Sequence, residues 1–279
     1  MSASIGRTQT TLAAVIALLV AVGEAQSTKQ LIYIVGPRAN VSITNHYGSI
    51  TVNPAATSRV IVKTISHSDA VSFENEQHGN RITLRAHSSR EGTGLADYMV
   101  SVPSDAFVTL RSSDGILRAH GLRGDVTLES ATAPIEATDI DKAYVSVKTL
   151  GGSVLLADIR NSHLNVRSIG GTVSLRNVTG SSVEVHSGTG RISYEGDPGR
   201  MGEYLLTSHT GDLEISIPAN ASVGIKTRSE KGASDPNLVD DLASPSATNG
   251  NLLLRRGARS ASRFVLRSFK GNIHVKRTP

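Results

Sequence analysis

Asp139 and Asp158 are the first residues to test for chemistry, because each stands nine residues beyond a Ser or Thr that recurs along the chain. That places both carboxylates in one column, where two acids on neighbouring turns could divide acid and base work on a glycosidic bond. The equivalents one repeat away on either side are Gly121 and Asn177, however, and a Gly, Asp, Asp, Asn series is the chemistry of a turn. The 9 His are scattered, with His186 and His209 in different columns, so no metal-ligand set is expected. Zero Cys removes thiolate nucleophiles, Cys-ligated zinc and disulfides together. No catalytic residue, metal or cofactor is therefore expected.

The recurring Ser or Thr residues are Ser112, Ser130, Thr149, Ser168, Ser187, Ser208, Thr227 and Ser268, spaced 18, 19, 19, 19, 21, 19 and 41 residues apart. The residue before each is Arg111, Glu129, Lys148, Arg167, His186, Thr207, Lys226 and Arg267, and five of these eight are permanently cationic. Alternation points that column away from the core, so Arg111, Lys148, Arg167, His186, Lys226 and Arg267 form a candidate anion-binding stripe. The competing reading is a solvated face whose charges resist aggregation. An anionic envelope polysaccharide or a membrane surface is the partner such a stripe would take. An aromatic content of 4% with no Trp leaves no stacking platform for neutral sugars, and no specific nucleic acid is expected.

The elements that position this stripe follow from the same repeat. Two residues before each anchor stands an apolar residue, from Leu110 to Leu266, and three residues after it stands Gly115, Gly152, Gly171, Gly190, Gly211 or Gly271, with Ala133 and Glu230 as exceptions. Apolar alternation resumes five and seven residues past the anchor, as in Val154 and Leu156, and a third inward position falls at Leu122, Ile140, Ile159 and Val178. Period-2 alternation in units this short means strands buried on one face that can bury it only by stacking. The reading is an all-β right-handed parallel β-helix of about 19-residue coils, with three short strands per coil. Each Ser or Thr would bond its own turn or its stacked neighbours, and each Gly would reverse the chain with positive φ.

Residues 1–25 read as a signal peptide: Arg7, the apolar run Leu12 to Val22, then Gly23, Glu24 and Ala25 with small residues at the two positions a signal peptidase inspects. Eleven apolar residues rise only about 16 Å as a helix, against about 30 Å for a hydrocarbon core, which favours cleavage over anchoring. The remainder, 26–279, reads as a single solenoid domain. Within it, 31–104 would be an N-terminal cap and lead-in sheet, 105–228 the regular coils, 229–262 a polar excursion loop and 263–279 a closing coil.

The run Tyr98-Met-Val-Ser-Val-Pro-Ser-Asp105, followed by Val108-Thr-Leu-Arg-Ser-Ser-Asp-Gly115, resembles the opening of the bacterial "putative adhesin" domains of unknown function. The repeat apolar-x-apolar-x-Ser/Thr-x-x-Gly-x-Ile/Val, as in Leu164 to Val173, is similar to theirs. That resemblance implies a right-handed β-helix-like fold, a place in the cell envelope and an adhesive role, and it transfers no catalytic residue. The chain is thus expected to be an exported, non-enzymatic surface, secreted or periplasmic binding or structural module. An enzyme acting on an acidic polysaccharide is the alternative, and a scaffold that self-associates through solenoid ends is a third reading. N-terminal sequencing of exported protein should begin at Gln26, and finding Met1 there would overturn the leader.

Overall fold

A six-residue strand that alternates apolar and polar residues buries three side chains on one face, which is too little to hold it alone. The chain solves this by laying each strand beside its equivalent one repeat earlier. Val145 pairs with Leu164 and Leu164 with Val183, all parallel and in register. The computed structural model describes residues 18–21, 27–88, 95–234, 246–248, 251–255 and 261–279. Among these there are strands and no helix, arranged as one 12-stranded and one 13-stranded sheet.

The first sheet contains Leu117–His120, Ile135–Asp141, Val154–Arg160, Val173–Arg176, Ile192–Glu195 and Leu213–Pro218. The second contains Phe107–Asp114, Val126–Ser130, Tyr144–Thr149, His163–Ser168, Ser182–Ser187 and Glu203–Ser208. Between them lies the core, in which Val147, Leu156, Val166 and Leu175 are fully buried. The fold is therefore all-β and solenoid-like, with two strands per coil where the sequence suggested three. Leu122, Ile140, Ile159 and Val178 are indeed fully buried, but they follow a bend of the first sheet and build no third one. The bend is the Gly121, Asp139, Asp158, Asn177 column, where φ is +67°, +53°, +55° and +50°. Asp and Asn tolerate this left-handed conformation better than other side chains, so the column is turn chemistry, as its residue types indicate.

The Ser and Thr column lies at the end of the second-sheet strands and is buried throughout. Several of its hydroxyls bond their own turns: Ser130, Ser168 and Ser187 each donate to the carbonyl three residues on at 2.8 Å, whereas those of Ser112, Ser208 and Thr227 find no partner among the described residues. Asn45 takes the same place one coil earlier, pairing with Ser112 and donating to the carbonyls of Gly48 (3.1 Å) and Ala96 (2.7 Å). The glycines three residues after the Ser and Thr anchors do not adopt positive φ; in that column only Gly48, which follows Asn45, does, at +98°. Their reason is contact. A Cβ on Gly171 would lie 1.8 Å from the carbonyl oxygen of Gly152, and one on Gly190 would lie 2.0 Å from that of Gly171. Backbone stacks directly on backbone at this corner, and only hydrogen fits between.

The two ends depart from the simple stack. Asn40–Tyr47 pairs in parallel with both Phe107–Asp114 and Arg81–Ser88, and Ile50–Ala55 likewise with Leu117–His120 and Ala96–Pro103. Antiparallel strands then finish both sheets on that side, including Ser27–Ile34 beside Arg59–Ser66. Leu18–Ala21 pairs with Ser27–Ile34, while the rest of the leader and the cut after Ala25 lie outside the described residues. At the other end, Ser262–Ser268 does not close the stack in the second sheet. It inserts between Glu203–Ser208 and Val223–Ser229. Phe264 stacks on Tyr204 at 4.3 Å and meets Tyr194 edge-on at 5.2 Å, filling the core at the insertion. The register there sets Ser229, not Thr227, beside Ser268, and Gly232 rather than Glu230 takes the stacking position. Of the polar excursion, Asn251–Arg255 pairs antiparallel with Val223–Ser229 and Ser246–Thr248 with Asn251–Arg255, and the remainder of 235–260 lies outside the described residues.

Stacking and conformational freedom predict different outcomes for neighbouring glycines. A Cβ on Gly151 meets nothing closer than a carbonyl at 4.0 Å, and its φ is ordinary. Gly171→Ala should therefore destabilise by about 1–3 kcal/mol, the usual range for an overpacked core, while Gly151→Ala leaves the melting temperature nearly unchanged. Equal melting temperatures would refute the stacking account.

Candidate functional site

Parallel register turns any position of the repeat into a file of side chains running across the strands, about 4.8 Å apart. The position before each anchor thus becomes Arg111, Glu129, Lys148, Arg167, His186, Thr207, Arg267 and Arg228, one on each of eight successive strands of the second sheet and all pointing outward. Two residues further along each strand, past the buried anchor, runs a second outward file. It contains Ala131, Leu150, Ile169 and Gly188, of which Leu150 is 59% exposed and Ile169 62%. Between the two files lies a groove of about 810 Å³ that extends from Thr44, Asn45 and His46 to His186, Ser187 and Gly188. Its floor is the Ser and Thr column, one wall is the charged file and the other wall is aliphatic.

The charged wall is unevenly neutralised. Glu129 accepts from the Arg111 guanidinium at 2.8 Å and lies 3.6 Å from the Lys148 ammonium, so a single carboxylate serves two cations. Arg167, one strand further, has no ion-pair partner among the described residues, and neither do His186 and Arg267. Such surface pairs contribute little to stability, and adjacent like charges across a pair of strands cost some. A file in which Lys148 and Arg167 are neighbours is therefore poised to gain from an anion laid along it.

Arg111, Lys148, Arg167 and His186 stand together on the groove, as their spacing implied. Arg267 lies in the same file two strands beyond His186, brought there by the inserted strand although 81 residues separate the two in sequence. Lys226 is displaced from the file: it pairs with Val265, and Arg228 takes the place beside Arg267, where it is bonded to Glu230 at 3.2 Å. The anchor of this strand is Ser229, two residues beyond Thr227, which pairs instead with Leu266. The aliphatic wall was missed, although Leu150 and Ile169 directly follow anchors and are conspicuous as large apolar residues at an outward position. Beyond Gly188 that wall continues as His209 stacked on Phe269 at 5.0 Å, with the Lys231 ammonium 5.0 Å over the Phe269 ring.

The model of the Toastrack DUF4097 family matches residues 39–276. The chain belongs to that family. A comparison with curated proteins finds no match. Among solved structures, a "putative cell adhesion protein" from Clostridium sporogenes is similar over 90% of this chain and 100% of its own, at 12% identity and a TM-score of 0.30. A "putative adhesin" from Bacteroides fragilis is similar over 89% of this chain and 97% of its own, at 11% identity and a TM-score of 0.45.

Two polar clusters of the Toastrack chain resemble catalytic sites and are arranged otherwise. Asp139 is ion-paired to Arg160, and Asp158 accepts from the Asn177 amide at 3.1 Å, so both carboxylates brace the left-handed bend. Ser49, Asp97 and His67 have the composition of a nucleophilic triad, but the order is wrong. Asp97 sits in the middle, accepting from the Ser49 amide (2.6 Å) and hydroxyl (2.7 Å) and bonded to His67 Nε2 at 2.7 Å. A nucleophile needs the imidazole, not the carboxylate, against its hydroxyl. The cluster instead ties the Gly48 corner to the start of the strand Ala96–Pro103.

Burial by itself would raise the Asp97 carboxyl, but the two Ser49 hydrogen bonds and the bond and charge of His67 outweigh it and hold the group below the usual carboxylate range. A carboxyl depressed in the folded state stabilises the protein above its unfolded pKa of about 3.9, and that contribution is lost as pH falls through the folded value. Asp97→Asn should accordingly lower the melting temperature at neutral pH, with the gap to wild type closing below pH about 3.9. A gap that stays constant down to pH 2 would contradict this role.

Proposed function

We propose that this Toastrack chain is an exported, non-enzymatic, adhesin-like binding module, a right-handed solenoid of about 19-residue coils whose groove receives an anionic polymer at the cell envelope. The observation that carries the reading is the continuous outward file from Arg111 to Arg267, with Lys148 and Arg167 on adjacent strands and one carboxylate, Glu129, beside them. Cations gathered in single file focus potential along a line and so favour a linear partner over a compact one. Support for export comes from the leader grammar of residues 1–25. A right-handed winding follows the strong preference of parallel β crossovers. Support for a binding rather than a catalytic role comes from Asp139, Asp158 and Asp97, whose carboxylates are already engaged in bends and corners.

The test is retention of the mature protein on immobilised dextran sulfate at low and moderate salt, beside a Lys148→Gln, Arg167→Gln double variant. Wild type should be held at low salt and released as ionic strength brings the screening length to about 8 Å. The double variant should elute much earlier while melting at the same or a slightly higher temperature, because a like-charge contact has been removed. Identical elution of the two proteins would retire the groove as an anion site, and release of shortened chains from an acidic polysaccharide would retire the non-enzymatic reading.

A further inference from the structure

Resting on that reading, we propose that the polymer is an unbranched 1,4-linked polyuronate lying across the strands, one sugar residue to each rung of the sheet. Three properties of the groove point to this chemistry. The first is pitch. Lys148 and Arg167 stand one rung, about 4.8 Å, apart, which asks for a ligand with neighbouring anions at about the same interval. A hexopyranose in an extended 1,4-linked chain advances by nearly that distance and carries one carboxylate if it is a uronate. The two torsions of a single linkage need bring only one neighbouring pair of carboxylates, those opposite Lys148 and Arg167, toward the same side. An extended acidic peptide advances about 3.3–3.4 Å per residue, so its same-side carboxylates are about 6.7 Å apart and fall out of step with the rungs.

The second property is the asymmetry of the walls. Lys148 faces Leu150 across the buried Thr149, and Arg167 faces Ile169 across Ser168, so these two adjacent rungs each offer a cation on one side and an exposed aliphatic surface on the other. A uronate ring has the matching division, with its carboxylate at one edge and C–H groups over its face. A polyphosphate or a sulfated chain of high charge density would leave Leu150 and Ile169 without a complementary surface. The third property is length. Glu129 turns back an anion at one end, where it is bonded to Arg111 at 2.8 Å and stands 3.6 Å from Lys148, while the file runs on from Lys148 through Arg167, His186 and the uncharged Thr207 to Arg267. Lys148 to Arg267 spans five rungs, and the last of these bears Phe269 on the opposite wall, where the aliphatic surface has become aromatic.

Binding of fluorescently labelled oligogalacturonates of one to eight residues to the full mature protein tests this. Affinity should climb with each added residue up to about five and then level, since further sugars extend past the file. An oligoglutamate of equal charge should bind about tenfold more weakly, corresponding to 1.4 kcal/mol. Leu150→Ser with Ile169→Ser should weaken the pentamer several-fold, by a larger factor than any loss of retention on dextran sulfate, which separates the ring-facing wall from the charge. Equal affinity for oligoglutamate, or no dependence on sugar number, would overturn the polyuronate while leaving the anion site intact. Loss of all binding to dextran sulfate by wild type would instead overturn the reading on which it rests.

Discussion

The closeness with which one turn lies upon the next governs the rest of the molecule. Gly48, Gly115, Gly152, Gly171, Gly190, Gly211 and Gly271 stand over one another so tightly that a methyl group on any of them would coincide with a carbonyl oxygen below. Strand pairing requires rungs about 4.8 Å apart, and a corner that must turn within that height leaves little room beyond hydrogen, with Ala133 the one larger residue between Gly115 and Gly152. The buried hydroxyl three residues earlier completes the corner by bonding the carbonyl that the stacked glycine presents. A second corner, on the far side of the coil, obeys the same constraint wherever it carries glycine. There Gly124 lies against Ala106, Gly180 against Ser162 and Gly202 against Gly180, so small residues suffice.

Once turns are fixed at that height, register follows, and with it the groove. Each residue of the charged file takes its place on the strand from the anchor beside it, and ion pairs such as that of Arg111 with Glu129 then settle only the side chains. This is why one substitution at the position before an anchor alters the charge of the file without disturbing the strand, and why neighbouring cations can be held closer than they would settle unaided. Glu129 is the one acidic member, and it divides the file into a neutralised beginning and an open continuation.

Much of this was legible in the sequence because the corner makes local demands that recur. Ser168 and Gly171, or Ser187 and Gly190, announce themselves by type and by a fixed separation of three. Asp139, Asp158 and Asn177 were readable as a bend for the same reason, although the positive φ belonged to them and, Gly48 apart, not to the glycine column, whose residues were fixed by their neighbours below. The inward side chains Ile140 and Ile159 invited a third strand that the bend forestalls. Least legible was the order of the final strands. Repeats with equivalent faces are interchangeable partners, so nothing in the spacing of Ser208, Thr227 and Ser268 says which lies beside which. The bulk of Phe264, matched to Tyr194 and Tyr204, was the available clue to the insertion, and the Ser229 to Gly232 separation was the clue to the register.

That insertion also sets when the protein can be finished. A solenoid whose strands follow chain order can grow from one end as the chain emerges, each coil templating the next. Here the place between Glu203–Ser208 and Val223–Ser229 can be filled only by Ser262–Ser268, near the C-terminus. Val223–Ser229 has no partner on that side until the final segment arrives, and Arg267 joins the charged file only then. Assembly of the last rungs is thus a ring-closing event between distant parts of the chain, slow in the way that nonlocal pairing is slow. A chain threaded outward from its N-terminus would complete its binding surface only after the whole of it had crossed.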